Sequence, residues 1–136
     1  MPELPEVETV RAYINQYVSG KRMTHIDVRL ARLIKNAGPD EFVNRLTGQT
    51  IETVRRRGKY LFLQCSGPYS LLVHLRMTGS LIYMPHWQDT MKAAHIIFSL
   101  SEGTMVYRDI RTFGCLWLVP PQGSTGVKGY DTLGPD

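Results

Sequence analysis

The sequence predicts an α+β fold: a mostly antiparallel β-sandwich of about eight strands, flanked by an N-terminal helix and a second short helix. Three observations carry this expectation. Short runs rich in β-branched and aromatic residues recur from Thr50 to Val119. Gly58, Gly67-Pro68, Gly79 and Glu102-Gly103 punctuate them as turns do. Helical spacing of apolar residues occurs only near the start of the chain and in one brief stretch before residue 47.

Residues 5 to 18 read as an amphipathic helix. Val7, Val10, Ile14, Tyr17 and Val18 recur at spacings of three and four, and Gly20 is placed to stop it. From Arg22 to Leu33 the pattern changes to alternation, with Met23, Ile26, Val28 and Leu30 between polar residues, which predicts a strand. Asn36 to Pro39 reads as a turn, and Pro39 to Leu46 as a short helix closed by Gly48. The expected strands then follow at 50–57, 60–65, 69–75, 81–84, 95–100, 105–108 and 115–119. No internal repeat is present. Seven of the 17 residues from 120 to 136 are Gly or Pro, so that stretch reads as a linker leading to a longer protein.

Composition narrows the classes. The 136 residues suffice for one domain with a core, and 43% apolar with 21% charged residues is ordinary for a globular protein. No run is long and apolar enough for a membrane span and no signal-peptide pattern appears, so no membrane partner is expected. Cys65 and Cys115 lack metal-ligand spacing and are expected as buried thiols in a reducing cytosol. A net charge of +4 permits a nucleic-acid partner without requiring one.

The candidate chemistry begins at the amino terminus, Met1-Pro2-Glu3-Leu4-Pro5-Glu6. An initiator Met before a small residue is ordinarily removed, which would leave Pro2 as a secondary amine. Terminal amines titrate at about 7.7–8.0, so part of the population is an unprotonated nucleophile at neutral pH. Such an amine can attack a sugar C1′ and form a Schiff base. Glu3 could move protons beside it. Retention of Met1 would instead make the Pro2 nitrogen an amide with no such reactivity. Most Met-Pro openings are frayed termini, so this signal gains weight only from the rest of the chain.

Arg55-Arg56-Arg57-Gly58-Lys59 is the densest basic run, readable as a solvated turn or as a phosphate clamp with Lys59 projected from the turn. His74-Leu75-Arg76-Met77-Thr78-Gly79 leaves a strand and enters a turn. Met77 there is either core filler folded back or an apolar wedge.

The opening MPELPEVETVR resembles the formamidopyrimidine-DNA glycosylases, bacterial repair enzymes that excise oxidised purines. The resemblance recurs in order at RRRGKYL (55–61), HLRMTG (74–79), YRDIRTFG (107–114) and LGPD (133–136). It implies base-excision repair by a bifunctional glycosylase and AP lyase in the cytoplasm, at the nucleoid. Pro2 would be the nucleophile, Glu3 its acid–base partner, and Lys59 a catalytic phosphate-binding lysine. Arg76 and Met77 fall in a DNA-contacting turn, with Met77 filling the void left by a flipped base. Arg111 would pair with the orphaned base, and Phe113 would wedge beside it. Asp109 is expected to orient that loop.

By the same resemblance, residues 1–119 are the catalytic sandwich domain and 120–136 an interdomain linker. A C-terminal half with a helix–two-turn–helix element and a zinc finger is absent from this chain. No cofactor is therefore expected here, zinc belonging to the missing half. The partner implied is double-stranded DNA containing oxidised purines or abasic sites, and the full-length protein would be a monomer. Two departures stand out. Thr112 occupies a position where many relatives carry a second basic residue, and Ala93-Ala94-His95 keeps only the second of two family histidines, so His95 is expected as a core or edge residue. Three alternatives remain open: an endonuclease VIII-type enzyme, a tautomerase using its N-terminal proline, and a non-catalytic fragment that binds DNA weakly.

Overall fold

The computed structural model describes residues 4–121 and 127–131. In chain order the elements are α1 (Leu4–Val18), β1 (Met23–Val28), a 3-10 turn (Ala31–Leu33), α2 (Pro39–Leu46), β2 (Ile51–Arg57), β3 (Tyr60–Cys65), β4 (Ser70–His74), β5 (Gly79–Met84), β6 (Ala94–Leu100), β7 (Thr104–Asp109), β8 (Cys115–Val119) and α3 (Lys128–Asp131). The strands form two antiparallel four-stranded sheets, ordered β1-β6-β7-β5 and β2-β3-β4-β8. The predicted sandwich of about eight strands is therefore the observed one.

The core lies between the sheets. Leu61, Leu63, Leu71 and Val73 from one sheet meet Ile96, Phe98, Met105 and Tyr107 from the other, all buried. Both cysteines are buried, and burial pushes the Cys65 thiol up to about 12. Along α1, Val7, Ile14 and Val18 are buried as their spacing requires. Tyr17 lies at the margin of that stripe, 40% exposed, with its ring stacked on Tyr83.

A sandwich of two open sheets leaves unpaired backbone along its edge strands, a hazard unless covered. Here α1 covers two edges at once. On β2, Arg11 Nη1 donates to the Val54 carbonyl at 3.2 Å and Asn15 Oδ1 accepts the Val54 N–H at 2.9 Å. On β5, the Tyr13 hydroxyl donates to the Tyr83 carbonyl and accepts the Tyr83 N–H, both at 3.0 Å. The edge at β8 is treated the same way: Asn36 donates to the Leu118 carbonyl at 2.7 Å and accepts its N–H at 2.9 Å.

Two stretches differ from expectation in detail. The alternation from Arg22 to Leu33 yields a strand only as far as Val28. Beyond it Arg29 turns to make ion pairs with Asp27 and Asp89, and residues 31–33 tighten into the 3-10 turn that buries Leu33. In the Gly/Pro-rich tail, Val127 is buried on the outer face of β3, β4 and β8, and α3 brings Tyr130 edge-on to Tyr60 and parallel to Phe62. Apolar residues at 127 and 130 pack one helical turn against the half-buried rings of that sheet.

Candidate nucleic-acid interface

Strand register gathers the candidate segments at one end of the sandwich. Arg57 pairs with Tyr60, leaving Gly58 and Lys59 as a two-residue hairpin turn. Gly58 takes φ 58°, the left-handed region that glycine enters without strain. Tyr60 pairs with His74, and His74 with Cys115, so the Lys59 turn, the end of β4 and the start of β8 lie side by side. Gly79 pairs with Asp109 in the other sheet. The chain thus crosses between sheets twice at this end, outward through residues 75–78 and back through 110–114. These crossings are the two loops that carry Arg76, Met77, Arg111 and Phe113.

Asp109 ties the crossings together. Its carboxylate is fully buried and accepts the Thr78 hydroxyl, the Tyr107 hydroxyl at 2.8 Å, the Gly114 N–H at 2.8 Å and the Thr112 N–H at 3.1 Å. Burial alone would raise the pKa of this carboxyl, but those donors outweigh it and hold the group below its ordinary value. Thr78 Oγ1 in turn accepts the Arg111 N–H at 3.1 Å. The expected orienting role of Asp109 thus has a geometric basis.

The side chains presented on this frame are apolar and basic. Met77 is 45% exposed, Phe113 48% and Ile110 64%. With Tyr17 they complete the exposed large hydrophobics of the described surface, so three of the four fall on these two loops. The Arg111 guanidinium lies 5.0 Å over the Phe113 ring. Arg76 and Thr112 hold φ 53° and 57°, strained for residues with a Cβ and persisting where neighbours fix them. Thr112 is fixed by Asp109, and its hydroxyl accepts Arg32 Nη2 at 2.9 Å. Arg76 is fixed by its N–H donating to His74 Nδ1 at 3.1 Å. His74 is buried at the edge of the Tyr60 ring, and its burial together with the charges of Arg76 and Lys59 drives its pKa down to about 4.

The basic run on β2 is divided by strand alternation. Arg56 points to α1 and pairs with Glu8, whereas Arg55 and Arg57 lie over the rings of Phe62 and Tyr130 on the outer face. Lys59 follows in the turn, near enough for its charge to act on His74. His95 has Nε2 at 2.8 Å from the Asp109 carbonyl, a structural contact at the same end of the sheet. Pro2 and Glu3 lie outside the described residues; α1, which continues from them, is described from Leu4.

Sequence reasoning overlooked His74, Ile110 and the Glu8–Arg11–Arg56 cluster. For Ile110 a signal existed, since an isoleucine between two charged residues in a turn has no alternating neighbour to bury it with. For the others, only the pairing of β3 with β4 and the crossing of α1 over β2 bring the partners together. Among the described residues, no three His, Cys, Asp or Glu side chains gather as metal ligands, and no helix is long and apolar enough to cross a membrane.

These features define an α+β sandwich whose crossover loops present apolar and basic side chains at one end. The chain belongs to the formamidopyrimidine-DNA glycosylase family: residues 1–116 match its N-terminal domain. It is 42% identical over 135 residues to the formamidopyrimidine-DNA glycosylase of Pelotomaculum thermopropionicum, covering 98% of this chain and 49% of that protein. The Lactiplantibacillus plantarum enzyme is 43% identical, over 100% of this chain and 50% of that protein. The chain therefore spans about half the length of these relatives. Among solved structures, wild-type Lactococcus lactis Fpg (MutM) with DNA containing an oxidized pyrimidine superposes with TM-score 0.82 at 33% identity, over 88% of this chain and 45% of that one. The same protein with DNA containing N7-benzyl-Fapy-dG gives TM-score 0.82 at 33% identity, over 88% and 44%.

Proposed function

We propose that this chain is the catalytic and base-displacing half of a DNA glycosylase and AP lyase that removes oxidised purines. The observation that carries the reading is the clustering of Met77, Ile110 and Phe113 with Arg76 and Arg111 on two loops locked to one buried carboxylate. Exposed apolar side chains held this rigidly suit insertion into a base stack, where they fill the space a flipped nucleotide leaves. Arginines beside them can contact phosphates or the unpaired base.

The chemistry falls to the amino terminus. The Pro2 nitrogen attacks C1′ of the damaged nucleotide, and the glycosidic bond breaks as the base leaves. Glu3 delivers a proton to the opening sugar, and loss of the proton from nitrogen gives the iminium. Proton loss from C2′ then expels the 3′ phosphate, and a second elimination expels the 5′ phosphate. Lys59, at the turn beside His74, holds phosphate next to the lesion. DNA containing oxidised purines or abasic sites is the partner, and the second half of the longer protein supplies further grip on it, including any zinc finger. Two L. lactis neighbours are bound to DNA with a Fapy-type purine and with an oxidized pyrimidine, so both lesion classes belong in the test.

The experiment is borohydride trapping by the full-length protein, with removal of Met1 verified by intact mass. Duplexes carry 8-oxoguanine, an oxidised pyrimidine or an abasic site. A covalent adduct that acetylation of the Pro2 nitrogen abolishes is expected, with 8-oxoguanine processed faster than the pyrimidine. Undiminished trapping by the acetylated protein would overturn the assignment of the nucleophile.

A further inference from the structure

We propose that the Glu8–Arg56 ion pair is a positioning device that sets α1, and with it the amino terminus, against the Lys59 turn. This inference rests on the reading of Pro2 and Lys59 just given. Glu8 lies in the second turn of α1 and accepts Arg56 Nε at 3.1 Å. It also accepts Arg11 in a fork, Nε at 2.9 Å and Nη2 at 2.7 Å. Arg56 reaches onward: its Nη1 donates to the Gly58 carbonyl at 3.1 Å. Arg11 meanwhile binds the Val54 carbonyl on the same strand. A continuous path of charged hydrogen bonds thus runs from the helix to the glycine that shapes the Lys59 turn.

The geometry suits positioning better than stabilisation. The Glu8 side chain is 45% exposed and those of Arg11 and Arg56 are 26% and 23% exposed, a range in which ion pairs add little to folding stability. The fork from Arg11 nevertheless fixes the direction of the Glu8 carboxylate on the helix, and the Arg56 Nε bond then ties that oriented carboxylate to β2. Glu8 is held below its ordinary pKa first by the hydrogen bond from Arg11 and further by Arg56, so it stays ionised where the enzyme would work. Apolar contacts of Val7, Ile14 and Val18 and the hydrogen bonds of Tyr13 and Asn15 hold the body of α1 on the sandwich. The Glu8–Arg56 path adds a tie nearer the amino-terminal end of the helix. Leu4, where the described part of α1 begins, is two residues from Pro2 in the sequence.

The test uses the full-length protein with Glu8→Ala, Glu8→Gln, Arg56→Ala and the double alanine variant. Single-turnover trapping on abasic DNA reports nucleophile placement, and affinity for uncleavable tetrahydrofuran DNA reports grip. Roughly 10- to 100-fold slower trapping is expected in each alanine variant, as small misplacements of reacting groups produce. Affinity should stay within about twofold, and the double variant should be no slower than the slower single one. Glu8→Gln, which keeps an acceptor oxygen, should fall between wild type and Glu8→Ala. Should an alanine variant not fold by circular dichroism, Glu8→Gln carries the comparison. Trapping unchanged in folded Glu8 and Arg56 variants, or a loss of affinity that matches the loss of rate, would overturn the inference. Protein acetylated at the Pro2 nitrogen, run in parallel, separates the two failures: its persistence in trapping sinks the reading of the nucleophile, whereas loss of trapping there with unchanged Glu8 variants sinks only the positioning role.

Discussion

The hydroxyl of Thr78 donates to the buried carboxylate of Asp109 across 31 residues of sequence, joining the outward crossing between the sheets to the returning one. Because Thr78 also accepts the Arg111 N–H, the two loops share one hydrogen-bonded joint. Removing Asp109 would leave two hydroxyls and two backbone N–H groups without their acceptor. Asp109→Ala is therefore expected to cost about 3 kcal/mol or more, the range for unsatisfied buried polar groups. Thr78→Val, which keeps shape and loses the hydroxyl, should cost about 1–2 kcal/mol. Chemical denaturation of both and of the double variant gives the coupling. Strictly additive losses would show that the joint is not shared.

The exposed apolar residues of the two loops should behave in the opposite way. Met77, Ile110 and Phe113 contact solvent over much of their surface, so truncating them to Ala is expected to change stability by no more than about 0.5 kcal/mol. Binding of the full-length protein to DNA with an abasic analogue should nevertheless weaken by about tenfold for Met77→Ala and Phe113→Ala, in proportion to lost stacking. Equilibrium binding at one fixed salt concentration, beside thermal melts, checks both halves. Weakened binding that tracks a fall in melting temperature would return these residues to the class of ordinary packing.

Much of this was legible in the sequence because it is local. Turn glycines such as Gly58 and short apolar runs such as Leu61-Phe62-Leu63 announce strands and their ends whatever the fold. The amphipathic stripe of α1 announces its buried face. The basic and apolar residues of the loops carry their chemistry in their identity. Hidden from the sequence was whatever depends on which strands adjoin. Glu8 and Arg11 are visibly neighbours on a helix, but Arg56 becomes their partner only because α1 crosses the open edge of β2. Arg32 meets Thr112 only because the 3-10 turn packs beside the returning loop. The length of the first strand was overestimated because Leu30 and Leu33 prolong an apolar pattern that the backbone satisfies with a tight turn instead.

Gly114 illustrates a constraint that spacing could not reveal. A Cβ built there would sit 1.6 Å from the Tyr107 hydroxyl and 2.9 Å from an Asp109 carboxylate oxygen. Gly114→Ala must therefore displace the buried tyrosine or break the joint, and a loss of about 2–4 kcal/mol is expected, typical of overpacking combined with a broken buried hydrogen bond. Tyr107→Phe removes the clashing oxygen and should recover part of that loss when combined with Gly114→Ala. Denaturation midpoints of the two single variants and the pair decide it. A double variant as unstable as the sum of the singles would mean that the hydroxyl is not what excludes a side chain at residue 114.

His74 gives the end of β4 a pH dependence whose sign follows from its environment. The ring is buried, and Nδ1 accepts the Arg76 N–H, so the neutral tautomer carries its proton on Nε2. Burial, then the charges of Arg76 and Lys59, lower the folded pKa to about 4. An unfolded histidine titrates near 6.5, so between these values the unfolded chain binds the extra proton and the folded one does not. Stability is thus full above about pH 6.5 and declines as pH falls toward 4, by up to about 3 kcal/mol. Protonation also places a donor against the Arg76 N–H, releasing the contact that holds Arg76 at positive φ. Carboxylates add their own slope below about pH 5, so the comparison belongs between about 5 and 6.5. In that window His74→Asn, whose side-chain oxygen can replace Nδ1 as acceptor, should flatten the dependence of unfolding free energy on pH. An identical slope in the two proteins would mean that the His74 ring takes up its proton as readily in the folded chain as in the unfolded one.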